Sequence, residues 1–87
     1  MNEEITVEEK IAIIGIFIKD HTMSGRVNEL LHEYAPYIIG RMGMPYQQKS
    51  VHVISVIICA PPGIISALSG KLGRIKGIQT KALQATI

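Results

Sequence analysis

Four residues close together in the sequence could bind a small molecule: Asp20, His21, Ser24 and Gly25. If a helix begins near Ser24, its free backbone N–H groups favour an anion, and Gly25 lets a ligand approach the backbone closely. Asp20 would repel a carboxylate, so an amine is the other ligand that this segment could take. An ordinary connection, in which the Ser24 hydroxyl caps the helix, explains the same residues equally well.

The three histidines and the one cysteine do not predict a metal site. No histidine has a second ligand at a spacing such as i+4 on a helix, and His52 and Cys59 are an odd number of residues apart. On one strand they would therefore face opposite sides of the sheet. We expect no metal and no cofactor, and we interpret His52 as a buried or interface residue.

Catalysis and nucleic-acid binding also lack a signature. No nucleophile–base pair and no paired carboxylates stand out, so we do not expect an enzyme. The net charge is +2, and Arg41, Lys71, Arg74, Lys76 and Lys81 supply positive charge in the second half. No aromatic residues alternate with these cations as single-strand binding requires. A solvated basic face is the simplest interpretation, and direct binding of DNA is the less favoured one.

The location of the protein follows from its cysteine and its apolar segments. A single cysteine, Cys59, excludes an internal disulfide framework and fits a reducing cytoplasm, where we expect the protein. Residues 50–70 carry no charge and are long enough to cross a bilayer. Because Pro61 and Pro62 interrupt this segment, it predicts a strand, a turn and a helix, and we expect no membrane contact.

The apolar segments occur in the order strand, helix, strand, strand, helix, strand. Strands are predicted over residues 10–19, 37–44 and 51–59 and from residue 78 onwards. The first helix has apolar residues at i, i+3, i+4 and i+7, and the second begins at the proline pair. This order predicts a ferredoxin-like split βαββαβ domain, of class α+β, with both helices on one face of an antiparallel sheet in the order 4-1-3-2. We assign residues 1–9 to a flexible N-terminus and residues 10–87 to one domain.

The two strands at the centre of such a sheet, residues 10–19 and 51–59, are apolar at both odd and even positions. A strand covered by helices on one side needs apolar residues only at alternate positions. A chain of 87 residues, 47% hydrophobic and 18% charged, has no further element to cover the second face. We therefore expect a homo-oligomer, a dimer or a tetramer. The residues expected at its interface are Ile14, Ile16, Ile18, His52, Ile54 and Val56.

Residues 26–32 (RVNELLH), residues 38–45 and residues 67–73 (ALSGKLG) carry a family resemblance. Together with Ile75, Gly77 and Ile78, they resemble the iron-only hydrogenase system regulators, small ACT-like domains with a proposed regulatory role. The resemblance covers roughly residues 10–83. It implies a ferredoxin-like fold, oligomers, and a small effector bound at the first strand–helix loop and a neighbouring subunit. The nickel site of a related repressor is not implied, because its His-x-His pair has one histidine here, His52.

Two functional hypotheses remain open at this point. The first is a homo-oligomeric regulatory domain that senses a small effector through Asp20, His21, Ser24, Gly25 and a subunit interface. The second is an interaction module that docks on a separate regulator protein and needs no small ligand. A ligand in the loop would favour the first, and a complex with a different protein, the loop being empty, would favour the second.

Overall fold

The computed structural model describes residues 8–86, which form four strands, two α-helices and three short 3-10 turns. The elements are β1 (Lys10–Ile18), α1 (Ser24–Glu33), β2 (Ile38–Tyr46), β3 (Val51–Ala60), α2 (Pro62–Gly73) and β4 (Ile78–Gln84). Of the predicted flexible N-terminus, residues 1–9, all but Glu8 and Glu9 lie outside the described residues.

The four strands form one antiparallel sheet in the order β2-β3-β1-β4. Read from the other edge, this is the predicted order 4-1-3-2, and the α+β ferredoxin-like fold is confirmed. The central strands pair over their whole length, with Ile14 opposite Val56 and Ile16 opposite Ile54. The predicted polar strand β4 lies at one edge, and β2, which contains a bulge between Ile38 and Gly40, lies at the other.

Prolines determine where several elements end. Helix α1 ends at Glu33, and Pro36 then lies in a 3-10 turn that leads into β2. Strand β3 ends at Ala60, and Pro62 opens α2 at a position where a missing N–H breaks no helical hydrogen bond. Pro45 is tolerated inside β2 because β2 is an edge strand. For this reason β2 continues to Tyr46, two residues beyond the predicted end.

Both helices pack on one face of the sheet, which we call the covered face. Eight residues of the central strands β1 and β3 are 0–1% exposed on this face; they are Ala12, Ile14, Ile16, Ile18, Ile54, Val56, Ile58 and Ala60. The helices, together with Tyr34 directly after α1, contribute the other half of the core; the helical residues are Val27, Leu30, Leu31, Ile65, Leu68 and Leu72. One layer of sheet and one layer of helices therefore enclose a single apolar core.

The prediction of the interface residues is corrected by this arrangement. Five of the six residues expected to contact a second subunit lie in the core of the single chain, at 0–1% exposure: Ile14, Ile16, Ile18, Ile54 and Val56. Side chains alternate between the two faces of a strand, and the helices cover the even-numbered residues of β1 and β3. The expected set therefore occupies the opposite face from the one that is left uncovered.

The other side of the sheet, which we call the open face, carries large apolar side chains that the chain itself does not bury. Register and alternation place eight of them there: Ile11, Ile13, Phe17, Met42, Met44, Tyr46, Ile57 and Leu83. They are between 38% and 71% exposed. Within the four strands, Lys81 is the only charged residue on this face. The expectation that both sides of the central strands are apolar is thus met.

Candidate functional site

The loop after β1, which we call the first loop (residues 19–23), is held by Asp20. One carboxylate oxygen of Asp20 accepts hydrogen bonds from the Thr22 backbone N–H at 3.0 Å and from the Thr22 hydroxyl at 2.6 Å. These donors stabilise the charged form, so the pKa of Asp20 lies below its usual range. Asp20 therefore caps the 3-10 turn His21–Met23 through one of its two carboxylate oxygens.

The helix start differs from the predicted one at Ser24. Ser24 is the first residue of α1, while Met23 occupies the cap position and makes no side-chain capping bond. The prediction of Ser24 as the cap is therefore wrong, because the preceding 3-10 turn moves the capping role to Asp20. Gly25 is exposed, and a Cβ placed on it would meet no atom within 4 Å. The space above the start of α1 is open.

The turn between α2 and β4 packs against the first loop. The Lys19 N–H donates to the Gly77 carbonyl at 2.9 Å. Gly77 has φ +81, and a Cβ on it would lie 2.7 Å from the Asp20 Cβ. Only glycine combines this left-handed conformation with so close an approach. The backbone of Asp20 is therefore fixed from two directions.

His21 lies in a cavity that the sequence did not predict. The cavity, which we call the His21 cavity, has a volume of about 230 Å³. It is lined by His21 and by the end of the β2–β3 hairpin: Pro45, Tyr46, Gln47, Ser50 and Val51. The fold thus brings the first loop against this hairpin, which lies more than twenty residues further along the chain. The other three predicted ligand-binding residues, Asp20, Ser24 and Gly25, are close to His21 in the sequence, but they do not line the cavity.

A second cavity borders the same hairpin, on the side of the open face. This Lys19 cavity has a volume of about 400 Å³. Its lining residues are Phe17, Lys19, Lys49, Ser50, Val51 and Gln79. Two further shallow cavities of about 380 and 200 Å³ lie over apolar parts of the open face, around Ile13 and around Met44. Among the residues that line these cavities, sequence reasoning had proposed only His21 as a ligand-binding residue, because the others come from four separate strands and a turn.

His52 does not lie on the open face. It is half-buried at the margin of the covered face, opposite Ile18 on β1 and Pro45 on β2. Gly43 makes room for its ring, since a Cβ on Gly43 would lie 3.1 Å from the His52 Nε2 atom. His52 therefore packs within its own chain. Across residues 8–86, no three side chains of histidine, cysteine, aspartate or glutamate converge where they could hold a metal ion.

The basic residues of the second half do not form one continuous surface. Arg41 donates to the Asn28 side-chain oxygen at 2.8 Å, which ties β2 to α1. The Lys71 ammonium lies 5.1 Å from the centre of the Tyr34 ring. Hydrogen bonding to Tyr34 raises the pKa of Lys71. Lys81 lies on the open face. These cations serve different parts of the fold.

Neither helix of the described chain has the length and apolar character that crossing a membrane requires.

Comparison with solved structures supports the fold at two levels. Protein TM1266 from Thermotoga maritima is 34% identical, with a TM-score of 0.86 over 91% of this chain and 100% of that chain. A formyltetrahydrofolate deformylase from Pseudomonas putida KT2440 is 15% identical, with a TM-score of 0.60 over 84% of this chain. The match covers 28% of the deformylase, so this likeness concerns the fold alone.

Sequence comparison assigns the family. No match was found among curated proteins. The family model described as TM1266-like, the proposed iron-only hydrogenase system regulators, matches residues 10–82. This range contains the first loop, the core residues of the covered face and all the large apolar residues of the open face except Leu83. It agrees with the resemblance carried by residues 26–32, 38–45 and 67–73. The chain belongs to the TM1266-like family of iron-only hydrogenase system regulators.

Proposed function

We propose that this chain is a homo-oligomeric regulatory domain that assembles through the open face and responds to a small effector bound where the first loop meets the β2–β3 hairpin. The observation that carries the proposal is the open face, on which eight large apolar side chains are 38–71% exposed. The regulatory part rests on the family to which the chain belongs.

The size of the open face fits an interface between subunits. Four strands about 4.8 Å apart, with about 3.3 Å per residue, give a surface about 19 Å wide and about 30 Å long. A patch of that size lies near the upper end of what monomers expose, and it is somewhat smaller than the area that one partner buries in a standard specific complex. Leaving it in water would forgo the largest hydrophobic gain that remains open to the chain.

A second copy of the chain is the simplest occupant of the open face. In a two-fold dimer the same patch of each subunit forms the interface, so two largely apolar faces would cover one another. The one charged strand residue, Lys81, lies on the edge strand β4, where a long side chain can reach solvent. At the centre of the open face, Ile13 and Ile57 are directly paired across β1 and β3, with no charged side chain beside them on these two strands.

Effector binding and assembly both involve Tyr46, which provides the basis for regulation. Tyr46 lines the His21 cavity and also lies on the open face beside Met44. A ligand that moves the Tyr46 ring changes the surface offered to the second copy. Coupling of this kind requires only that the ligand bind the assembled and free chains with different affinities.

The decisive experiment compares the association state of the wild type with that of Ile57→Asp. Ile57 is 42% exposed in the single chain, so the variant keeps its fold, and an aspartate at the centre of the interface weakens association at least about 100-fold. The matched control is Ser66→Asp, on the exposed side of α2, which keeps the wild-type assembly. Sedimentation velocity measures both, and circular dichroism confirms that both are folded.

Native mass spectrometry of the freshly purified protein adds the test for the effector. A dimer or tetramer with an extra mass supports both parts of the proposal and gives the mass of the effector. A wild type that is monomeric at every concentration, or an Ile57→Asp variant that assembles like the wild type, contradicts assembly through the open face.

Docking on a separate regulator protein is the second candidate function. The lysines around the open face favour it, because a partner with acidic residues around an apolar centre would complement Lys19, Lys49 and Lys81. A wild type that is monomeric alone, and that binds a regulator protein through a surface sensitive to Ile57→Asp, would select this function over the first.

A further inference from the structure

We propose that the Lys19 cavity binds a small ligand with one anionic group on an aromatic or aliphatic body. This inference goes beyond the proposed function, because it concerns a second site beside the His21 cavity and names the chemical class of ligand that this second site takes. Of the two cavities beside the hairpin, the Lys19 cavity is the larger, at about 400 Å³ against about 230 Å³. Its volume falls within the range of small-molecule sites.

An apolar floor would hold the body of the ligand. Phe17 is 40% exposed on the open face and lines the cavity together with Val51. The Phe17 ring also lies near Gly15 on the same strand, since a Cβ on Gly15 would be 3.9 Å from that ring. An exposed aromatic face beside a β-branched side chain offers a surface on which a flat or aliphatic group can pack.

Two ammonium groups would hold the anion. Lys19 and Lys49 both line the cavity, one from the end of β1 and one from the hairpin turn. Among residues 8–86, salt bridges form between Lys10 and Glu8 and between Arg26 and Glu29, and neither cavity lysine takes part in one. The nearest acid in sequence, Asp20, accepts two hydrogen bonds from Thr22. The charges of the two lysines are thus left for a ligand.

The backbone of the hairpin turn brings these groups together. Ser50 has φ 50 and ψ 45, a left-handed conformation that is uncommon for a residue with a side chain. Its N–H donates to the Gln47 carbonyl at 3.1 Å, which closes the turn. As a result Lys49, Ser50 and Val51 line the same cavity although they are consecutive. Gln79 supplies an amide from β4 on the opposite side.

Three probes of one shape and different charge test the ligand class. They are 4-phenylbutyrate, the neutral 4-phenylbutanamide and the cationic 4-phenylbutylamine, each titrated into the full ¹⁵N-labelled chain and followed by amide chemical shifts. The acid is expected to shift the amides of Phe17, Ser50, Val51 and Gln79 and to bind at least about five-fold more tightly than the amide. The amine is expected to bind more weakly than the amide.

Lysine variants assign the charge. The double variant Lys19→Gln with Lys49→Gln is expected to weaken binding of 4-phenylbutyrate about ten-fold and to leave the affinity for the neutral amide unchanged. Lys71→Gln, an exposed lysine on α2, is the matched control and is expected to bind like the wild type. All three replaced lysines are exposed, so the variants fold, and the dispersion of the amide spectrum confirms it.

The outcomes separate this inference from the proposed function. Equal affinity for the three probes, shifts confined to His21 and Gln47, or an unchanged affinity in the double variant overturns the inference. The association state is measured on the same samples by sedimentation velocity. A monomer that binds the acid selectively supports the inference and contradicts the proposed assembly, whereas an oligomer that binds no probe selectively does the reverse.

Discussion

The two faces of the sheet have similar side chains and very different surroundings. On β1, Ala12, Ile14, Ile16 and Ile18 are 0–1% exposed, whereas their neighbours Ile11, Ile13 and Phe17 are 38–47% exposed. Composition alone therefore does not decide which face is buried. The difference comes from two helices that can cover only one side, and it separates the residues that fold the chain from those that are free to contact something else.

Adjacent residues of one strand give the largest test of this difference. Replacing Ile14 by alanine is expected to lower the free energy of unfolding by about 3–4 kcal/mol, because it leaves a cavity in the core. Replacing Ile13 by alanine is expected to cost the isolated chain less than about 1 kcal/mol, because half of that side chain is already in water. Urea denaturation at low protein concentration measures both.

Measuring stability at several protein concentrations gives a second comparison of Ile13→Ala with Ile14→Ala. If the open face is an interface, the wild type gains stability as concentration rises, and Ile13→Ala loses part of that gain. Ile14→Ala keeps the wild-type slope with concentration, since Ile14 faces the helices. Equal stability losses in the two variants at low concentration would contradict the assignment of the two faces.

The order of elements and the strand order follow from the sequence because each rests on local patterns. Residues 10–18 and 51–60 are long β-branched runs, the helices have clear periodicity, and prolines mark the boundaries. The ferredoxin-like topology then places these two strands at the centre. Agreement between local preference and global arrangement explains why the fold was predictable.

The covered face was predicted wrongly, since the even-numbered residues of β1 and β3 were assigned to a subunit interface. Both sets of alternate residues in β1 are apolar, so the apolar pattern alone does not distinguish the two faces. A signal is nevertheless present in the pairing of the central strands. Gly15 lies opposite Ser55 on the open face, while Ile14 and Ile16 lie opposite Val56 and Ile54 on the covered face. A small residue opposite a polar one at the centre of a sheet contributes little burial, so this pair favours the uncovered side.

The candidate site was predicted only in its first loop. The resemblance to ACT-like domains led to the expectation of a ligand at Asp20, His21, Ser24 and Gly25, and of these four only His21 lines one of the cavities described above. The remaining walls of the cavities come from the hairpin turn, residues 47–50, and from Gln79. Their proximity depends on strand register and on the left-handed turn at Ser50, which a sequence pattern does not specify.

The turn at Gly77 is expected to have the next largest effect, since it holds α2 and β4 in place beside the first loop. Gly77→Ala is expected to cost about 2 kcal/mol, because φ is +81 and the new Cβ would lie 2.7 Å from the Asp20 Cβ. Gly25→Ala is the matched control. No atom lies within 4 Å of that position in α1, so alanine is expected to leave stability unchanged or to raise it slightly. Thermal denaturation distinguishes the two outcomes, and similar effects at both glycines would contradict the close approach.

Asp20 provides the smallest and most specific test, because it orders the loop without touching either apolar face. Its pKa in the folded chain is lowered by the two donors from Thr22, so its charge stabilises the fold above the unfolded pKa, and this contribution is lost as pH falls through the folded pKa.

Asp20→Asn keeps an acceptor oxygen and removes the charge. We expect the wild type to exceed Asp20→Asn in urea midpoint by a small, constant amount above about pH 5, and the difference to vanish as pH approaches about 2. Other carboxylates titrate alike in both proteins, so the difference isolates Asp20. A gap that persists at low pH would mean that the asparagine fails as an acceptor, and a gap that is absent at neutral pH would mean that the charge does not hold the loop.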